Sequence, residues 1–154
     1  MKHLLYLVAI LSTTLTTAQV GAGGGERKKD TITVTQVNGR KTLYGTASYY
    51  ADKFNGRPTY NDEIYDSKKM TAACNVLPMG TWIRVTNLSN NRWVIVKVND
   101  KLHARMTRVV DLSRVAAEKL GYIGKGLTRV KVEVLKKVEI PPKTKENNSL
   151  TMNK

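Results

Sequence analysis

The sequence predicts a mainly β fold, a small barrel or sandwich that carries one short helix. Five stretches alternate apolar and polar residues with a period of two, or are rich in β-branched and aromatic residues, as half-buried strands are. Turn-forming residues separate these stretches, and one segment alone combines a helix start signal with a helix stop signal. Composition agrees: 41% of the 154 residues are hydrophobic and 25% are charged, ordinary globular usage that excludes disorder over the full length.

In chain order, the first element is an export signal over residues 1–18. Lys2 supplies the positive start, Leu4 to Leu11 an apolar run, and Thr16 and Ala18 the small residues of a cleavage site. Eight helical residues span ~12 Å, well short of a ~30 Å hydrocarbon core. No cysteine follows the apolar run, so neither a lipid anchor nor stable membrane insertion after cleavage is expected. Residues 19–40, which contain GAGGGERKKD at 21–30, read as a flexible lead-in. The folded domain is expected over residues 41–135. Residues 136–154, rich in Lys, Asn and Thr around Pro141-Pro142, read as a disordered basic tail with too little apolar surface to offset ordering.

Within the domain, residues 43–50 (LYGTASYY) form the first expected strand. Residues 81–88 set Ile83 and Val85 against Arg84 and Thr86, and residues 92–99 align Val94, Val96 and Val98 on one face. Ser89-Asn90-Asn91 between them tolerates a left-handed turn and predicts a hairpin. Residues 108–112 and 127–135 complete the set, the latter with Val130, Val132 and Val134 inward. Ser113 as N-cap, Arg114 to Leu120, and Gly121 just beyond predict the helix. The polar loop at residues 52–69 is long for a compact domain, and Phe54, Tyr60 and Tyr65 argue that it builds a site.

Charge and cysteine narrow the function. A net charge of +14 predicts attraction to polyanions. For an exported chain those are cell-wall polymers, acidic glycans or lipid headgroups rather than nucleic acid; a solvated basic face with no partner is the alternative, since the lysines scatter along the chain. One cysteine excludes an internal disulfide, and no zinc-spaced Cys/His set exists. Asp100 closes the most apolar strand, so its carboxylate is expected at the barrel rim beside low-dielectric surface, where a general acid can work near neutral pH. A turn-capping role within Asn99-Asp100-Lys101 is the structural alternative. Asp62, Glu63 and Asp66 offer a second carboxylate from the loop. His103 lies three residues past Asp100, and Cys74 sits in an apolar setting where thiols are commonly packing residues. Cys74 would act as a nucleophile only with a basic partner such as His103. Trp82 and Trp93 read as sheet residues or as platforms for sugar rings. Asp111, ahead of the helix, suits the helix dipole.

The order of these pieces carries a resemblance. Gly45-Thr46-Ala47-Ser48-Tyr49-Tyr50, Phe54-Asn55-Gly56-Arg57-Pro58-Thr59 and Asn61-Asp62-Glu63-Ile64-Tyr65-Asp66 come first. Met70-Thr71-Ala72-Ala73, Leu77-Pro78-Met79-Gly80-Thr81, Arg84-Val85-Thr86-Asn87-Leu88 and Val98-Asn99-Asp100 follow, and Val110-Asp111-Leu112-Ser113-Arg114 closes the series. Together they resemble the septal-ring lytic transglycosylases of the rare lipoprotein A (RlpA-like) family, a bacterial cell-wall group. The resemblance implies a six-stranded double-psi β-barrel and endolytic cleavage of the MurNAc–GlcNAc bonds of peptidoglycan. That reaction leaves 1,6-anhydroMurNAc ends and uses no cofactor and no metal. It also implies a monomer in the periplasm or cell envelope whose partners are peptidoglycan glycan strands.

The family's working Glu, His and Asp fall on Glu63, Cys74 and Asp100. Asp100 and Glu63 are thereby the expected catalytic pair, and Arg57, Cys74, His103 and Asp111 the expected supporting or substrate-binding residues. Three departures stand out: Cys74 replaces the histidine, Asp62 stands where glycine is usual, and Lys101-Leu102-His103 replaces Arg-Gly-Pro. A non-catalytic, expansin-like wall-binding barrel therefore stays open beside the enzyme, as does a secreted ligand- or inhibitor-binding barrel.

Overall fold

The computed structural model describes residues 31–139. The export signal expected at 1–18 and nearly all of the 136–154 tail lie outside them. Seven strands and one helix follow in order: β1 (Thr33–Val37), β2 (Arg40–Tyr49), β3 (Thr71–Ala73), β4 (Trp82–Asn87), β5 (Trp93–Asp100), β6 (Val110–Leu112), α1 (Arg114–Leu120) and β7 (Thr128–Val134). Six of the strands close on themselves in the order β2-β6-β3-β5-β4-β7, the ring being sealed by pairing of β7 with β2. The barrel mixes parallel pairs (β2 with β6, β3 with β5) with antiparallel ones, and it is the expected double-psi β-barrel.

The alternation in the sequence makes the barrel wall. Leu43 pairs with Val132, Val132 with Val85, and Val85 with Val94, so a single row of apolar side chains crosses four strands. All four are fully buried, and Val96, Val98 and Val130 extend the core. Burial of each such side chain contributes on the order of 1.5–3 kcal/mol. Gly45 belongs to this wall for a steric reason: a Cβ there would stand 2.9 Å from the Cβ of Val109.

Helix α1 covers the wall with Ala116, Ala117 and Leu120 and ends as expected, Gly121 taking φ 73° in the left-handed region. Ser113 occupies the N-cap position, but its hydroxyl makes no capping bond to the first turn; its own amide donates to the Thr71 carbonyl at 3.0 Å. A polar knot joins hairpin, helix and barrel. Buried Asn87 donates to the Leu120 carbonyl (2.9 Å) and accepts from the Thr128 hydroxyl (2.8 Å) and the Ser89 amide (3.0 Å). The hairpin turn between β4 and β5 places Asn91 at φ 58°, as the Ser-Asn-Asn signal predicts.

Two strands depart from the expectation. Part of the segment expected to be flexible, residues 19–40, folds: Thr33–Val37 is β1, antiparallel to the start of β2. The two strands meet at Asn38-Gly39, both at positive φ (51° and 69°), a turn that such a pair adopts readily in hairpins. β1 lies outside the closed ring, and Val34 stays 52% exposed, so the strand shows little apolar periodicity. β3 has only three residues, too few to show a period, and it exists through its pairings with β5 and β6. Beyond β7, the expected disordered tail begins with a single 3-10 turn, Lys137–Glu139, whose Glu139 carboxylate pairs with Arg40.

Candidate functional site

Asp100 is the last residue of β5, and its neighbours come from three parts of the chain. Ala73 on β3 pairs with Asp100 on one side and with Asp111 of β6 on the other. With strands ~4.8 Å apart, the two acidic residues stand roughly 10 Å apart at the backbone. Between and above them opens a cleft of about 690 Å3, lined among others by Tyr50, Lys53, Arg57, Asp100, His103 and Asp111.

The Asp100 carboxylate is held by three donors. The Tyr50 hydroxyl donates to Oδ2 at 2.6 Å, and the backbone amides of Tyr60 and Lys101 each donate to Oδ1 at 2.8 Å. Its backbone carbonyl accepts from the Cys74 amide at 3.0 Å. Tyr60 comes from the long loop, which is ordered by its own bonds. The Gly56 amide donates to the Tyr65 carbonyl at 2.9 Å, the Tyr65 amide to the Arg57 carbonyl at 2.8 Å and the Thr59 amide to the Glu63 carbonyl at 2.8 Å, and Pro58 bridges Ile64. The loop lines the cleft through Lys53, Phe54, Arg57 and Pro58. Tyr65 is buried, and its ring stacks on Tyr50 with centroids 4.5 Å apart.

The Asp111 carboxylate, on β6 just ahead of the helix, makes a bidentate pair with Arg108, at 2.7 and 2.9 Å. Such fork-to-carboxylate pairs are the stronger kind of ion pair, and this one is partly shielded, with side-chain exposures of 25% and 17%. Arg57 lines the cleft, its guanidinium 5.6 Å from the centre of the Phe54 ring, and Lys101 lies 4.8 Å from the Tyr60 ring. His103 is exposed on the cleft, its Nδ1 accepting from the Arg105 amide at 3.3 Å.

Glu63 and Cys74 are not among the cleft-lining residues. The Glu63 carboxylate accepts from Asn99 (2.9 Å) and Lys97 (3.0 Å), alternate residues of β5, and these bonds hold its carboxyl below the usual carboxylate range. Through them the loop is pinned to the strand that ends in Asp100. Cys74 is fully enclosed in the core, and burial pushes its thiol up, against thiolate formation. Trp82 and Trp93 are half-buried sheet residues away from the cleft, Arg84 packing 5.0 Å over the Trp93 ring. Sequence reasoning missed Tyr50, Lys53, Lys101 and Arg108. The basic ones carried no local pattern, and Tyr50 reaches Asp100 only through the closed fold.

Fold and cleft together define a double-psi β-barrel protein with a carboxylate-centred site. A family model described as lytic transglycolase matches residues 42–132, and the chain belongs to that family. The chain is 50% identical over 97 residues to the endolytic peptidoglycan transglycosylase RlpA of Pseudomonas aeruginosa, an alignment covering 63% of this chain and 28% of that protein. To the namesakes from Haemophilus influenzae and Vibrio cholerae it is 46% identical over 91 residues and 42% over 109, covering 59% and 69% of this chain and 32% and 41% of theirs. The chain thus spans less than half the length of these relatives. Among solved structures, a Streptomyces papain inhibitor aligns with a TM-score of 0.51, covering 62% of this chain and 94% of that one. An expansin of Clavibacter michiganensis aligns with 0.50, covering 62% and 51%. Both are 21% identical to this chain and share its fold.

Proposed function

We propose that the chain is an endolytic peptidoglycan transglycosylase of the cell envelope, with Asp100 as its acid/base. The observation that carries this reading is the difference between the two acids that line the cleft. Asp100 is held by neutral donors only, the Tyr50 hydroxyl and two backbone amides, whereas Asp111 is tied into a bidentate ion pair with Arg108, which leaves Asp100 as the acid that can exchange a proton without breaking an ion pair. Glycoside hydrolysis uses two carboxylates, one of them placed to activate water or attack the sugar. Transglycosylation within the muramic residue needs one. Protonated Asp100 gives its proton to the glycosidic oxygen as the bond to the anomeric carbon breaks. The resulting carboxylate then takes the proton of the C6 hydroxyl as that oxygen closes on the anomeric carbon, leaving a 1,6-anhydro end and a free hydroxyl on the released strand.

The remaining expected residues take supporting parts. Arg57 and His103 bind the glycan, the histidine in place of the imidazole that the family carries at position 74. Glu63 serves Asp100 through the loop that it pins to β5. Cys74 supports the site through its amide. The basic lining suits a strand bearing carboxylates, an attraction that weakens with salt. Purified glycan strands incubated with the protein test the reading: soluble fragments with 1,6-anhydro ends are expected, and fragments with reducing ends would replace it with hydrolysis. A wall-binding barrel is the second reading, favoured by the fold shared with an expansin. It requires retention on peptidoglycan sacculi with no fragment released.

A further inference from the structure

We propose that Tyr50 is a positioning residue that sets the reactive geometry of Asp100, an inference whose kinetic arm rests on the transglycosylase reading. Tyr50 directly follows β2, and its amide donates to the Leu112 carbonyl of β6 at 3.0 Å, so its backbone is tied to the barrel. Its ring is clamped between two residues of the loop, stacked on Tyr65 at 4.5 Å and set edge-on to Phe54 at 6.0 Å. From this fixed ring the hydroxyl donates to Asp100 Oδ2 at 2.6 Å, at the short end of the range for O–H···O hydrogen bonds.

The division of donors between the two carboxylate oxygens gives that bond its meaning. A carboxylate offers about four lone-pair sites, two on each oxygen. Oδ1 accepts from the Tyr60 and Lys101 amides, and an amide N–H cannot accept a proton in return. The acidic proton must therefore reside on Oδ2. There Tyr50 occupies one site and leaves the other as the place from which the proton departs and to which the C6 proton returns. Burial and the bond to Asp100 hold the Tyr50 phenol well above its ordinary range, which suits a neutral donor to Oδ2. The aromatic stack adds that any shift of the loop moves the ring that orients the acid.

Tyr50→Phe keeps the stack and removes only the hydroxyl. On glycan strands it is expected to lower kcat by about 10- to 100-fold, the usual cost of a misaligned catalytic group, with KM and Tm close to wild type. A kcat equal to wild type would overturn the proposal. So would a loss accompanied by a matching rise in KM and a fall in Tm, which would mark Tyr50 as a packing residue. Proton NMR supplies an arm independent of turnover. A protected hydroxyl resonance is expected in the wild type, absent in Tyr50→Phe and displaced in Asp100→Asn; indifference to Asp100→Asn would overturn the tie. A wild type that releases no anhydro product would end the transglycosylase reading and leave the NMR arm to decide Tyr50.

Discussion

Across the barrel wall, Leu43, Val132, Val85 and Val94 stand side by side on four strands, all fully buried. Around Asp100 the contacts are of another kind: a phenol from the end of β2, an amide from the loop and an amide from the next residue. The wall depends on area and tight packing, non-directional forces that a repeating pattern can encode. The rim depends on a few directional bonds between segments brought together only after the wall has closed. Changes in the wall should therefore lower stability, and changes at the rim should alter turnover with little loss of fold.

The largest stability effect is expected from Leu43→Ala, which empties a fully buried position in the four-strand row. It should lower the unfolding free energy by about 2–5 kcal/mol, read from the urea midpoint. Asn87→Ala tests the one polar knot inside the wall. It strips the Thr128 hydroxyl and the Ser89 amide of their acceptor and leaves the Leu120 carbonyl with Asn90 as its remaining side-chain donor, and should cost about 1–3 kcal/mol by the same measurement. The smallest effect belongs to the rim. Glu63→Gln removes a carboxylate that is 44% exposed, so its ion pair with Lys97 is screened, and the loss at neutral pH should stay below about 1 kcal/mol. Because Asn99 and Lys97 depress the Glu63 carboxyl in the folded state, its contribution is present above the usual carboxylate range and lost as pH falls through the depressed value. The gap between wild type and Glu63→Gln in urea midpoint should therefore narrow on acidification. A gap that widens would contradict the assignment.

The same contrast explains what could be read in advance. Val94, Val96 and Val98, or Val130 and Val132, announce inward faces by spacing alone, and Gly121 announces the helix end by its freedom at φ 73°. β1 stayed hidden because a strand outside the closed ring has no face that must be apolar, although its Asn38-Gly39 turn was in plain view. β3 stayed hidden because Thr71, Ala72 and Ala73 are too few to show alternation, and its place follows from parallel pairing with β5. At the site, Asp100 was legible as a polar residue ending an apolar strand. The Tyr50 hydroxyl, 50 residues away in sequence, and the Tyr60 amide were not, since no local pattern encodes a bond made by chain closure. The place of Asp111 ahead of the helix was legible as a helix-dipole position, while its bidentate bond to Arg108 was not.

In the proposed mechanism Asp100 alone performs proton transfer in the cleft. The most direct test is the rate at which wild type and Asp100→Asn release anhydro-ended fragments from purified glycan strands, with retention on sacculi measured alongside. A loss of about 10^2- to 10^4-fold is expected in Asp100→Asn, with retention preserved. Equal release from both proteins would contradict that mechanism.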